Sequence, residues 1–318
     1  MTKIVITGIA GFIGYHLALK LNNYGYEVLG FDDFNEYYDV TLKRARADLL
    51  KNKNIQIENV DLKSDEQVSN YITSINPDIV VHLAAYAGVR HSFTNASQYI
   101  LNNIVGTQNL IDACEKAHVA KIIYASTSCV MAGNELPWKE DAPTGHQLNP
   151  YGYTKRTNEC QFITSSIPQA IGLRFFTVYG PYGRPDMALF EFSSAAVEGR
   201  PINVFNYGNM KRDFTYIDDI VNGIGILVDR LDGTVDPTKE IYNIGRGQQV
   251  DLMDFISEIE YQFNTKLEKI FLPKHPADTV ETWSDTTKLQ TLGWKPYTSI
   301  PEGVEKFANW YKEYYNVT

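Results

Sequence analysis

Residues 3–14 read KIVITGIAGFIG, and the fold turns on this stretch. After the leading lysine, Ile4 to Thr7 are apolar or β-branched, the signature of a strand buried on both faces. Gly8, Gly11 and Gly14 follow, and from Phe12 and Ile13 to Tyr24 the apolar residues recur at helical spacing. A strand that passes through a glycine-rich turn into a helix lets a pyrophosphate approach the backbone closely. The first N–H groups of the helix have no partners within it and face that phosphate. Asp32 ends the next apolar run about 20 residues on, where a carboxylate accepts from both hydroxyls of a ribose. The expected ligand is a dinucleotide. Asp32 would repel a 2′-phosphate, which favours NAD, although Lys43 and Arg46 nearby keep NADP open.

Outward from this unit, the first half of the chain alternates. Strand-like runs at Glu27–Asp32, Ile55–Val60, Asp78–Ala84, Lys121–Ser126 and Ala170–Phe176 are separated by helical stretches such as Val40–Leu50 and Tyr99–Ala117. Such alternation predicts βαβ units in a doubly wound parallel sheet of the Rossmann type. Beyond residue 177 the pattern loosens, with Gly/Pro-rich stretches at 179–186 and 199–209. Helix-like Ile217–Leu231, strand-like Ile241–Ile244 and helical ends at 251–263 and 301–315 follow. The expected organisation is an NAD-binding domain over 1–176, joined by parts of 214–245, and a smaller α/β substrate lobe over 177–318.

Composition narrows the function. The 318 residues carry 29 Lys+Arg against 38 Asp+Glu, a net charge of −9 that argues against a phosphate-backbone binder, so no nucleic acid is expected. Three cysteines, Cys114, Cys129 and Cys160, form no CxxC pair and fit a reducing compartment. Residues 3–14 are interrupted by glycines and lack a following cleavage site, unlike a secretory signal. No apolar run approaches the roughly 18 residues of a membrane span. A soluble cytoplasmic protein is expected.

The chemistry sits in two further stretches. In Asn149–Lys155, NPYGYTK, Tyr151 precedes Lys155 by four residues, which places both on one helix face. An ammonium beside a phenol lowers its pKa and prepares it to act as a base. Tyr207 and Lys211 share the spacing, but Gly208 and Asn209 between them read as a turn, whereas Pro150 marks a helix start. In residues 124–133, YASTSCVMAG, a buried strand ends in three hydroxyls, Ser126, Thr127 and Ser128. A capped strand end is the plain reading of such a run; beside Tyr151 and Lys155 it reads as a reaction site. Asp61-Leu62 ends the third strand, where an acid can meet an adenine amino group.

With these residues in place, the chain resembles the extended short-chain dehydrogenase/reductases, and among them the NAD-dependent nucleotide-sugar epimerases and dehydratases. His82-Leu83-Ala84-Ala85, Asn103–Thr107, Arg174–Pro181 and Arg212–Asp219 all look like segments of that family. The longer stretches FDDFNEYYDVTLKRARADLL, AGVRHS and FFTVYGPYGRPDMALFEF are similar to UDP-glucuronate 4-epimerases. The resemblance implies that Leu83, Ala84, Ala85 and Asn103 border NAD. It implies that Thr127 hydrogen-bonds the sugar C4 hydroxyl, that Tyr151 takes its proton, and that Lys155 holds the nicotinamide ribose. Related dehydratases carry an Asp-Glu pair after the Thr, and related decarboxylases a Glu at the second place. Ser128 and Cys129 stand there, which disfavours both reactions.

The product of C4 oxidation in a uronic acid is a β-keto acid, so an epimerase must hold its carboxylate against loss of CO2. Ser126, Thr127, Ser128, Thr177 and Arg184 are the expected holders. For the UDP portion the resemblance implies Arg212 on the diphosphate, Asp278 on the ribose, and Val204 and Phe205 at the uracil. Met131-Ala132 replaces the family's usual Tyr-Gly, which leaves a UDP-galactose 4-epimerase and a UDP-glucuronate decarboxylase as alternatives. A non-catalytic NAD-binding protein is the alternative from another class, and it has no need of Thr127, Tyr151 and Lys155. A homodimer is expected through helices at 93–117 and 151–166.

Overall fold

The computed structural model describes residues 1–276 and 278–317. Seven strands form the central sheet: β1 (Lys3–Thr7), β2 (Glu27–Asp32), β3 (Gln56–Asn59), β4 (Ile79–His82), β5 (Lys121–Thr127), β6 (Gln169–Phe175) and β7 (Thr238–Ile244). They lie in the order β7-β6-β5-β4-β1-β2-β3, every neighbour parallel. Chain order reverses between β1 and β4, and a crevice opens there at the carboxyl ends of the strands. The sheet is the doubly wound one read from residues 3–14.

Alternation along each strand divides the core into two layers. Ile4 and Ile6 of β1, Ile79 and Val81 of β4, and Ile123 of β5 face one layer. Val5, Val80, Ile122 and Tyr124 face the other. Helices Phe12–Asn23 and Ile217–Asp232 cover the first face, and Asp65–Ile75 with Gly106–Lys116 the second. Ile6 is fully buried, so truncating it to Ala costs about 2–5 kcal/mol.

Strand positions follow the sequence reading, with ends moved by at most three residues. β7 begins at Thr238 rather than Ile241 because Thr238 pairs with Gln169 at the sheet edge. The expected helix Tyr99–Ala117 differs in kind. Residues Ala96–Tyr99 are α-helical, Ile100–Val105 form a wider π-helical turn, and Gly106–Lys116 resume the α-helix. Periodicity carries no signal for the extra residue in such a turn. Beyond the sheet, Ile202–Phe205 pairs with Lys269–Leu272, Lys211–Arg212 with Val250–Asp251, and Thr177–Tyr179 with Phe214–Tyr216. These short pairs bring the later segments over the strand ends. Among the described residues no helix is long and apolar enough to cross a membrane.

Candidate active site

A cleft of about 710 Å³ lies at the switch point between β1 and β4. That volume is within the range of cofactor and substrate sites. At one end, the turn after β1 fits a dinucleotide. Gly8 has φ +69°, and a Cβ there would lie 2.8 Å from Cα and N of Ala84. A Cβ at Gly14 would lie 2.9 Å from Cα of Ile9. The backbone is therefore as close to its neighbours as glycine permits, and Gly8, Gly11, Phe12, Ile13 and Gly14 all line the cleft. Thr7 Oγ1 accepts from the Ala84 N–H at 3.1 Å and meets His82 Nδ1 at 2.8 Å, while His82 Nε2 meets Thr107 Oγ1 at 2.9 Å. This chain fixes Leu83, Ala84 and Ala85 along the cleft wall. Burial, with a smaller effect of Lys155, pulls the His82 pKa down to about 3, so the ring is neutral.

Asp32 is buried at the cleft wall and accepts from the Phe34 N–H at 2.9 Å and from Lys43 Nζ at 3.5 Å. Burial outweighs Lys43 and raises its pKa. Arg46, which kept NADP open, is engaged elsewhere. Its guanidinium donates to the carbonyls of Ala10 (3.0 Å), Tyr182 (2.6 Å) and Gly183 (3.3 Å) and to Tyr38 Oη (2.8 Å). It stitches the glycine turn to the segment around Tyr182 and Gly183 and has no face on the cleft.

Helix Pro150–Thr164 carries the tyrosine and lysine. Asn149 caps it by accepting from the Gly152 N–H at 2.7 Å, with Pro150 at the first turn. Tyr151 and Lys155 thus fall on the face toward the cleft, opposite Thr127 and Cys129 at the end of β5. The Tyr151 pKa is raised, chiefly by burial and then by Cys129, while a hydrogen bond from Thr127 and the charge of Arg184 lower it. Burial pulls Lys155 down to about 7, and Glu159 one turn further on opposes this. Among the described residues Lys155 Nζ donates to no protein acceptor, and the side chain lines the cleft.

Several expected residues are engaged otherwise or face elsewhere. Ser126 lines the cleft, but its hydroxyl donates to Glu159 Oε1 at 2.7 Å, and Glu159 is paired with Arg174 at 2.9 Å. With its one proton so used, Ser126 has none to donate to a sugar carboxylate. Asp61 pairs with Lys63 at 2.9 Å, and its neighbours Val60 and Leu62 line the cleft. Asn103 bridges the Tyr86 backbone (2.9 and 3.0 Å) to Thr154 Oγ1 (3.0 Å), and it is Asn102, one residue earlier in the π-helical turn, that lines the cleft. Val204 is fully buried in the core because side chains alternate along its strand; Asn203 and Phe205 face the cleft. Ser128, Thr177, Arg184, Phe205, Arg212 and Asp278 all line it.

Arg90 escaped the sequence reading although it stands in AGVRHS. Its guanidinium lies 4.0 Å over the Phe205 ring and forms two hydrogen bonds with Asp278, at 3.3 and 2.7 Å. The charges of Arg90 and Asp278 both act on Arg212, so the three gather at one end of the cleft. Two guanidiniums beside an aromatic ring suit a nucleoside diphosphate. Among the described residues no group of side chains fits a metal ion.

A dinucleotide cradle, a Thr-Tyr-Lys set and a cationic pocket sharing one cleft define an NAD-dependent enzyme of nucleotide sugars. The model of the family described as "NAD dependent epimerase/dehydratase family" matches residues 4–245, and the chain belongs to that family. Protein CapI of Staphylococcus aureus is 41% identical, covering 98% of this chain and 99% of its own. A UDP-glucuronate 4-epimerase of Thermodesulfobacterium geofontis is 38% identical over 97% of this chain and 96% of its own. The crystal structure of UDP-glucuronic acid 4-epimerase from Bacillus cereus, in complex with UDP-glucuronic acid and NAD, is similar with a TM-score of 0.90. It shares 35% identity, covering 99% of this chain and 100% of that one. The chain is an NAD-dependent nucleotide-sugar epimerase.

Proposed function

We propose that this epimerase interconverts UDP-glucuronate and UDP-galacturonate by inversion at C4 of the sugar. The observation that carries the reading is the company Tyr151 keeps. Arg184, whose charge reaches the phenol, lines the same cleft, and no carboxylate occurs among residues 126–129. A cation beside the reacting hydroxyl suits an anionic sugar.

NAD, when bound, accepts hydride from C4 and later returns it to the opposite face. Tyr151, hydrogen-bonded by Thr127, takes the C4 hydroxyl proton and gives it back when the ketone is reduced. Lys155 holds the nicotinamide ribose and supplies the charge that a phenolate needs. Arg184 and Thr177 keep the C6 carboxylate away from the geometry in which its C–C bond aligns with the ketone π system. Ser128 and Cys129 offer no carboxylate for elimination of water. Arg90, Arg212 and Asp278, with Phe205, hold the UDP.

In this reading the enzyme is cytoplasmic and dimeric. Phe93, Ile100, Leu101, Val105 and Ile163 expose apolar side chains along the two expected interface helices, and a second copy would cover them. The test is ion-exchange separation of UDP-sugars after incubation with UDP-glucuronate. Two UDP-uronates are expected; UDP-glucuronate recovered unchanged, with UDP-galactose converted instead, overturns the substrate assignment.

A further inference from the structure

Arg184 does not stand alone. Its Nε donates to Asp186 Oδ1 at 3.0 Å and its Nη2 to Asp186 Oδ2 at 2.5 Å. Asp186 also accepts from Tyr37 Oη at 3.1 Å. A guanidinium has two edges able to grip a carboxylate in fork fashion. Asp186 takes the Nε–Nη2 edge, and among the described residues Nη1 donates to no protein acceptor. The Nη1–Nη2 edge is therefore left for a second carboxylate. Arg184 is only 19% exposed, and the Asp186 side chain 32%, so the pair is partly shielded from water.

Tyr37 is itself held firmly. Its ring packs edge-on against Tyr86 at 5.4 Å and His91 at 4.9 Å. A Cβ at Gly88 would collide with its hydroxyl, so that position leaves just enough room for the phenol. The Arg184 guanidinium lies 5.7 Å from the Tyr37 ring. Tyr37 belongs to the loop after Asp32, whereas Arg184 and Asp186 come from the loop between strand Thr177–Tyr179 and helix Ala188–Glu198. Tyr99, whose hydroxyl also lies against Gly88, packs at 6.4 Å from the Tyr151 ring. Packed aromatic rings thus join Tyr37, in the loop that follows Asp32, to the Tyr151 ring through Tyr86 and Tyr99.

We infer that Asp186 and Tyr37 are positioning residues that orient Arg184, so that its free edge receives the sugar carboxylate and selects uronic acid substrates. The inference rests on the UDP-glucuronate reading. An unanchored arginine samples many rotamers, and the cost of ordering it falls on every binding event. Anchoring one edge removes that cost and aims the other edge. It also restrains the carboxylate of the 4-keto intermediate, whose C–C bond must stay out of line with the ketone.

Asp186→Asn and Tyr37→Phe test this, with KM for UDP-glucuronate, Kd for UDP and the fraction of product released as UDP-pentose and CO2. Expected for Asp186→Asn is a KM raised roughly tenfold, the scale of one lost charge-assisted hydrogen bond. Kd for UDP should not change, and the UDP-pentose fraction should rise. Tyr37→Phe, which keeps the ring, should shift both readouts in the same direction by less. Unchanged KM and product purity in both variants overturns the inference while leaving the substrate reading intact. So does an equal loss of UDP affinity, which would mark a structural role. A wild-type enzyme that leaves UDP-glucuronate unconverted overturns both together.

Discussion

Glu159→Gln probes how the reacting face is held. The Glu159 carboxylate is 1% exposed and receives Arg174 Nε at 2.9 Å, Arg174 Nη2 at 3.1 Å, Ser126 Oγ at 2.7 Å and Arg156 Nη1 at 2.9 Å. These contacts bind the end of β5 and strand β6 to the helix that carries Tyr151 and Lys155. They also hold the Glu159 pKa below its usual range against burial, so the group is charged at neutral pH. The amide keeps the shape but leaves the Arg174 guanidinium, 4% exposed, without a counter-charge. A broken buried pair costs about 3–5 kcal/mol. Adding Arg174→Met, which removes the orphaned charge, should restore part of that loss.

The same substitution has an electrostatic signature. Glu159 opposes the burial that pulls Lys155 to about 7, so its removal lowers the Lys155 pKa further. The protonated lysine is then lost at lower pH, and the alkaline limb of the rate profile moves to lower pH. Urea denaturation and initial rates against pH provide the assays. A loss under 1 kcal/mol, or a fall in stability with an unmoved pH profile, would refute the reasoning (threshold set by the range for a broken buried pair, roughly 3–5 kcal/mol).

Three further outcomes follow from particular contacts. Gly8→Ala places a Cβ at φ +69° against Ala84, so the purified variant should lose NAD, read from its absorbance and from cofactor released on denaturation. His82 is neutral when folded down to about pH 3 but takes a proton near 6.5 when unfolded, so stability is present above 6.5 and falls as pH drops through that window. The slope from this group is about 1.4 kcal/mol per pH unit, and His82→Gln should be flatter than wild type by that amount between pH 6 and 4 in urea titrations. Arg90→Ala should weaken UDP binding by about tenfold, the scale of one charge-assisted hydrogen bond, with a shallower salt dependence by calorimetry.

What the sequence disclosed about the fold was what local patterning encodes. Continuous apolar runs such as Ile4–Ile6 and Ile79–Val81 mark strands buried on both faces, and the glycines between Thr7 and Phe12 mark the turn. Site residues were legible where a side chain's direction follows from its own element, as with Tyr151 and Lys155 on one helix face. They were illegible where a tertiary partner decides. Ser126 looks like Thr127 in the sequence, yet Glu159, 33 residues away, accepts its hydrogen bond. Asn102 rather than the expected Asn103 lines the cleft, in a π-helical turn that periodicity does not announce. Val204 was misplaced although INVF carries the signal: alternation puts Ile202 and Val204 on one face and polar Asn203 with Phe205 on the other. Arg90 and Tyr37 act on residues 188 and 149 positions away, beyond any window of periodicity.

The most direct measurement of the central claim is proton NMR of the purified protein with UDP-glucuronate in D2O and no added cofactor. Inversion at C4 by hydride removal and return predicts a second set of sugar signals with the small H4 couplings of the galacto form. Its H4 would be fully protonated, and H5 would show no solvent deuterium. Deuterium at C4 or C5, or UDP-pentose as the main product, would contradict it.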